Sequence, residues 1–134
     1  MSASRCLVMV LATMLLPGMW GKVAAEDPVA AAESAAAATA ATPEGKKYED
    51  QVGTAFGRDQ RKSIQACAKE VKRPDLSDFQ VFVRVSAAGQ VDEALVKPST
   101  NLAACLQGKL RAWKVGAPPH AGQWVSVHVK LQSK

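Results

Sequence analysis

The sequence predicts an α+β fold: a two-layer sandwich in the order α-β-β-α-β, with a three-stranded antiparallel sheet covered by two helices. Three observations carry this. One stretch alternates apolar and polar residues and runs through a glycine turn into a second strand-like stretch ended by proline. Two others space their apolar residues at three and four. A third alternating stretch closes the chain, and a three-stranded sheet with one apolar face needs a helical cover.

The elements follow in chain order. From Lys46 to Arg73 the pattern is helical and divides into two pieces. Val52 and Phe56 are spaced i, i+4, while Gly53 and Gly57 weaken the helix between them. Ile64, Cys67, Ala68 and Val71 then share one helical face, and Lys72-Arg73-Pro74 supplies basic last-turn residues and a stop. Phe79 to Ser86 is the first strand, with Phe79, Val81, Val83 and Val85 on one side. Ala87-Ala88-Gly89-Gln90 turns the chain into a second strand, Val91 to Lys97, ended by Pro98. Ser99, Thr100 or Asn101 caps the next helix, whose stripe is Leu102, Leu106 and Leu110 with Cys105 and Trp113 beside it. Gly116 to Gly122 contains Pro118-Pro119 and reads as a loop. Trp124 to Gln132 is the last strand, with Val125, Val127, Val129 and Leu131 on its apolar face.

This pattern occupies residues 46–134, enough for one small domain. Residues 1–25 read as a signal peptide. Arg5 gives a positive start, Cys6 to Leu16 is apolar, and Val23-Ala24-Ala25 is a small-residue cleavage site. An uncleaved anchor is the alternative, although the apolar run is shorter than the ~20 residues a span needs. Residues 26–45 are rich in alanine with Thr, Ser, Pro and Glu, and read as a flexible linker.

Export changes the counts. Of 17 Lys+Arg, Arg5 and Lys22 leave with the signal, so 15 basic residues face 12 acidic ones. All four methionines leave as well, and the three cysteines become two, Cys67 and Cys105. An even pair in an exported chain reads as one disulfide, and two helices side by side on a sheet can bring the pair together. Two separate buried thiols are the alternative. A redox-active pair is disfavoured because there is no C-x-x-C.

Nothing in the chain reads as catalytic. Asp92 and Glu93 are adjacent on a strand and point to opposite faces, so they form no acid–base pair. His120 and His128 have no metal-ligand spacing beside them, so no metal site is expected. There is no G-x-S-x-G and no phosphate loop, so neither an enzyme nor a cofactor is expected.

Two surfaces read as binding candidates. Arg58, Arg61, Lys62, Lys69, Lys72 and Arg73 crowd the first helix, a basic face suited to anionic envelope polymers or lipid head groups. A solvated helix face is the plainer reading. Nucleic acid is not expected for an exported chain. Phe82 and Trp124 lie in the polar registers of their strands and suggest a small exposed patch on the uncovered sheet face. Alternatively, Phe82 packs under the first helix.

The hairpin Phe79-Gln80-Val81-Phe82-Val83-Arg84-Val85-Ser86-Ala87-Ala88-Gly89-Gln90-Val91, followed by Val96-Lys97-Pro98-Ser99-Thr100, resembles that of TonB C-terminal-like domains. Leu110-Arg111-Ala112-Trp113-Lys114-Val115 is similar to the family's segment after its helix, and Cys67 and Cys105 are similar in placement to the cysteines of the AgmX/PglI C-terminal branch. The resemblance covers roughly Ile64 to Gln132. Val115 departs from it where an aromatic is common. The apolar N-terminal run also lacks the Ser and His with which an energy transducer's anchor meets its motor. The resemblance therefore implies the fold more than energy transduction. It also implies a mode of binding, in which a receptor's extended peptide pairs with a sheet edge. Trp124, Ser126, His128 and Lys130, with Phe82, are the partner-binding candidates on this reading.

The expected function is an exported periplasmic binding or adaptor module for a cell-envelope protein or peptide segment. The alternative is a structural or inhibitory envelope protein that uses the basic helix. An anchored TonB-like transducer component is a third possibility.

Overall fold

The computed structural model describes residues 27–131, so the signal-peptide reading lies outside the described residues. β1 (Phe79–Val85) is the centre of the sheet, flanked by β2 (Val91–Lys97) and β3 (Gln123–Val129). Both pairings are antiparallel, with Val81 opposite Val96 on one side and Val127 on the other. The fold is α+β, as the alternation implied, and β3 is an edge strand, as the binding reading required.

One sheet face carries Phe79, Val81, Val83, Val85, Val91, Ala94, Val96, Val125, Val127 and Val129, all buried. Three helices cover it: α2 (Pro43–Asp59), α3 (Arg61–Glu70) and α4 (Asn101–Leu110). α2 starts at Thr42, whose Oγ1 accepts the Gly45 N–H at 3.0 Å, and it buries Tyr48, Val52 and Phe56 at intervals of four. The helical stretch from Lys46 is indeed in two pieces, separated at Gln60. α4 is capped by Thr100, one of the three expected candidates, and buries Leu102, Leu106 and Leu110. Trp113 lies past the end of α4 and packs edge-on against Phe56 with ring centroids 5.8 Å apart. Its Nε1–H donates to Asp59 Oδ2 at 3.0 Å. The Arg58 guanidinium and then this indole bond hold the Asp59 carboxyl below the usual carboxylate range.

Cys67 on α3 and Cys105 on α4 are joined in a disulfide with Cα atoms 5.7 Å apart. The bridge spans 38 residues, which in the chain-entropy account stabilises the fold by about 4 kcal/mol. Glu70 lies beside it, close enough to form a three-donor group, but both sulfurs are committed to each other. Glu70 instead pairs with Lys109 at 3.3 Å.

The alanine-rich segment departs from the flexible linker expected for residues 26–45. Pro28–Ala40 forms helix α1, started by the Asp27 carboxylate, which accepts the Val29 N–H at 3.1 Å. Pro43 and the first residues of α2 also fall within the expected linker. α1 lies across the second face of the sheet. Ala32 and Ala36 are buried against Phe82, and Val29, Leu95 and Trp124 pack around them. Lys97 Nζ meets Glu33 Oε2 at 3.0 Å on the rim. The expected cover on one face is thus joined by a third layer on the other. Small alanine side chains let the helix approach the sheet closely, which composition alone had read as a lack of packing material. Among the described residues, no helix is long and apolar enough to cross a membrane.

Candidate functional site

A sheet of three strands has two outer edges, and the two differ here. Their main-chain polarity follows from one bond. The Ser86 N–H donates to the Gln90 carbonyl at 2.9 Å, so the even-numbered main-chain groups of β1 face β2 and the odd-numbered ones face β3. Residues 125, 127 and 129, opposite odd-numbered residues of β1, therefore turn their N–H and C=O groups inward. Leu131 continues that register, its N–H donating to Asp78 Oδ1 at 2.9 Å. Trp124, Ser126 and His128 turn theirs outward.

The β2 edge is covered by the chain itself over its hairpin half, from Gly89 to Ala94, while the outward main chain of Val96 has no partner among the described residues. The Val91 N–H donates to the Trp113 carbonyl at 3.0 Å, and Gln107 Nε2–H donates to the Ala94 carbonyl at 2.7 Å. Gln90 bridges to Lys114, and the Val115 N–H donates to the Gly89 carbonyl at 2.7 Å. Gly89 has φ 82°, and an added Cβ would run into the Val115 carbonyl, so this contact requires glycine. The Tyr48 hydroxyl donates to Gly116 O at 2.6 Å and anchors the same connector. Burial pushes its phenol up to about 12.

The β3 edge has no such hydrogen-bonded cover, although α1 and α2 both pack on this strand. Among the described residues, no group bonds the outward main chain of Ser126 or His128. A groove of about 640 Å³ runs beside it, between β3 and the helices α2 and α3. Phe56, Ile64 and Leu76 supply apolar lining, and Leu76 is 47% exposed, the one large apolar side chain so open among the described residues. Arg61, His128 and Lys130 are charged or polar groups on its wall. Gly53 and Gly57 lie one turn apart on the α2 side, and a Cβ at either would meet open space. Each glycine costs a helix interior about 1 kcal/mol relative to alanine, and nothing packs where its side chain would be.

The sequence-derived site residues divide accordingly. Val127, whose replacement by proline would have been the natural test of edge pairing, turns its N–H toward β1 and its side chain into the core. His128 and Lys130 are exposed beside the open edge. Ser126 contributes an outward main chain, while its Oγ accepts from Gln80 Nε2 at 2.9 Å. Trp124 is half-buried, with the Arg84 guanidinium 5.7 Å from its ring centroid and α1 beside it. Arg84 itself pairs with Asp92 at 2.8 Å and Glu93 at 3.1 Å. Phe82 is 0% exposed under α1, so the open aromatic patch expected on that face is not there, and the helix over Phe82 is α1 and not the first of the core helices.

The basic residues do not form one helix face. Arg58 ends α2 and is paired with Asp59 at 2.8 Å. Arg61 opens α3 and turns to the groove. Lys62 and Lys69, seven residues apart, are exposed on one side of α3. Lys72 and Arg73 sit in the following turn, where Asn101 Nδ2 donates to both carbonyls, at 3.3 and 3.1 Å. That contact holds Arg73 at φ 51°, a left-handed conformation that a side chain ordinarily disfavours.

Sequence reasoning missed the groove lining. Gly53 and Gly57 had registered only as weak points of a helix. Leu76, an apolar residue between two stop signals, was the other available sign. No family model matches the chain, and no curated protein or solved structure does so either.

Proposed function

We propose that this protein is an exported binding or adaptor module of the cell envelope, and that it takes up an extended segment of a partner protein by adding it as a strand beside β3. The observation that carries this reading is the contrast between the edges: β2 is covered over its hairpin half by Trp113, Gln107 and Lys114, while β3 keeps its outward main chain at Ser126 and His128 unpaired beside an apolar groove. The disulfide supports an oxidising compartment, in keeping with the signal-like N-terminus. The resemblance to TonB C-terminal-like domains supports the same mode of binding.

The test is a crosslinking pull-down from the native envelope with the wild-type chain and with Ser126→Pro. Proline there removes an outward N–H and leaves every β1–β3 ladder bond in place. Loss of the wild-type partners is the expected result, with only the stability loss of about 1 kcal/mol that removing the Gln80–Ser126 hydrogen bond brings. Equal capture by both chains contradicts the reading.

A second reading keeps the exposed Lys62, Lys69, Lys72 and Arg73 as contacts for an anionic polymer or surface. Salt separates the two. Contacts through these lysines collapse between low and moderate ionic strength, whereas main-chain pairing persists.

A further inference from the structure

We infer that the bare Gly53–Gly57 side of α2 and the open edge of β3 form one slot, shaped for an extended partner segment with apolar side chains at alternate positions and a carboxylate at the Arg61–Lys130 end. This rests on the strand-addition reading and adds the chemistry of the occupant. A strand paired with β3 would lie about 4.8 Å beyond it. That strip is bounded by Gly53 and Gly57 on the helix side, where no side chain occupies the space. The side chains that such a strand turns toward the helices would meet Phe56, Ile64 and Leu76. Those on the opposite side would face solvent and α1, so apolar residues are needed only at every second position.

Charge sets the polarity of the slot. Glu49 and Asp50 lie at one end, beside Ser126 and His128, and Lys46 pairs with both, at 3.4 and 3.3 Å. Arg61 and Lys130 lie on the wall of the groove and form no ion pair among the described residues. Lys46 offsets only one of those two carboxylates, so the slot carries a larger positive charge at the Arg61–Lys130 end and a smaller negative one at the other. A carboxylate on the incoming segment would neutralise the positive end, and a lysine there would be repelled.

The probes are two fluorescent nonapeptides of alternating valine and threonine, one with aspartate at both ends and one with lysine at both ends. Binding to the full chain is followed by anisotropy. The acidic peptide should bind at least about tenfold more tightly than the basic one, and Arg61→Glu should erase that preference. Gly57→Leu fills the slot while improving helix propensity. It should weaken the acidic peptide at least about tenfold without lowering Tm.

If Ser126→Pro abolishes peptide binding but Gly57→Leu leaves it unchanged, strand addition stands and the slot is refuted. If both variants bind as the wild type does, both readings fall. Failure of the wild-type chain to bind either peptide also counts against the slot. A wild-type dimer that Ser126→Pro dissociates would replace the peptide by a second copy of this chain.

Discussion

β2 and β3 flank the same central strand and have the same length, yet the chain covers half of one edge with its own main chain and leaves the other without any such partner among the described residues. At β2 the chain folds back after α4 and spends Trp113, Lys114 and Val115 on the hairpin end, while Gln107 reaches the Ala94 carbonyl, leaving the Val96 end of this edge unpaired among the described residues. At β3 the flanking helix presents two glycines toward the groove beside the strand. Isolated proteins usually blunt exposed edges because they invite pairing. Under the proposed function, the less protected side is the one that pairs with a partner. On that proposal, the exposed His128 and Lys130 would limit indiscriminate association while leaving the main chain available.

The comparison can be broken at several points. The largest effect lies in what ties the two sides together. α3 lines the β3 groove, α4 carries the β2 seal, and Cys67–Cys105 joins them. Replacing both cysteines by serine should cost about 4 kcal/mol in urea unfolding, with no change of partner. Next comes a pair of prolines. Val127→Pro removes a ladder bond and disturbs the core, so it should cost about 3 kcal/mol or more, whereas Ser126→Pro at the preceding residue should cost only about 1 kcal/mol, through the lost Gln80 hydrogen bond, and lose binding. Gln107→Ala unseals the Ala94 carbonyl. It should cost about 1 kcal/mol and produce concentration-dependent association through β2, measurable by sedimentation.

A smaller effect involves pH. Tyr48 links α2 to the connector that seals β2, and its folded pKa is raised to about 12 from the ordinary 10. The folded state therefore holds that proton more tightly than the unfolded chain. The associated stability is fully present below pH 10 and is lost as pH rises toward 12. Tyr48→Phe should flatten stability over that interval. The smallest effect belongs to the exposed Glu33–Lys97 pair. Lys97→Ala should change stability by less than about 1 kcal/mol, leaving α1 held by packing against Phe82.

The sheet, its core face and the disulfide were legible because each depends on local periodicity or on a count of cysteines. Val81, Val83, Val125 and Val127 announce their face through alternation alone. α1 was not legible for a specific reason. Its docking positions, Val29, Ala32, Ala36 and Thr39, follow helical spacing, but alanine fills the other positions too, so the stripe has no contrast. The clue lay on the other partner. A phenylalanine at position 82, alone on a polar strand face, needed a cover that only an additional element could supply. The site was half legible. His128 and Lys130 follow from the register of the last strand, but which edge is sealed depends on where the chain returns after α4, and no periodic pattern encodes that return. Gly53 and Gly57 were visible as helix weaknesses. Their meaning depends on empty space, which appears only once β3 is placed beside them.

Amide hydrogen exchange of the free chain, followed residue by residue by NMR, tests the contrast between the edges most directly. The account predicts fast exchange at Ser126 and His128, whose N–H groups face outward, and strong protection at Val91, Val125 and Val127. Protection at Ser126 and His128 equal to that at Val127 would mean that the β3 edge is already occupied, and would contradict it.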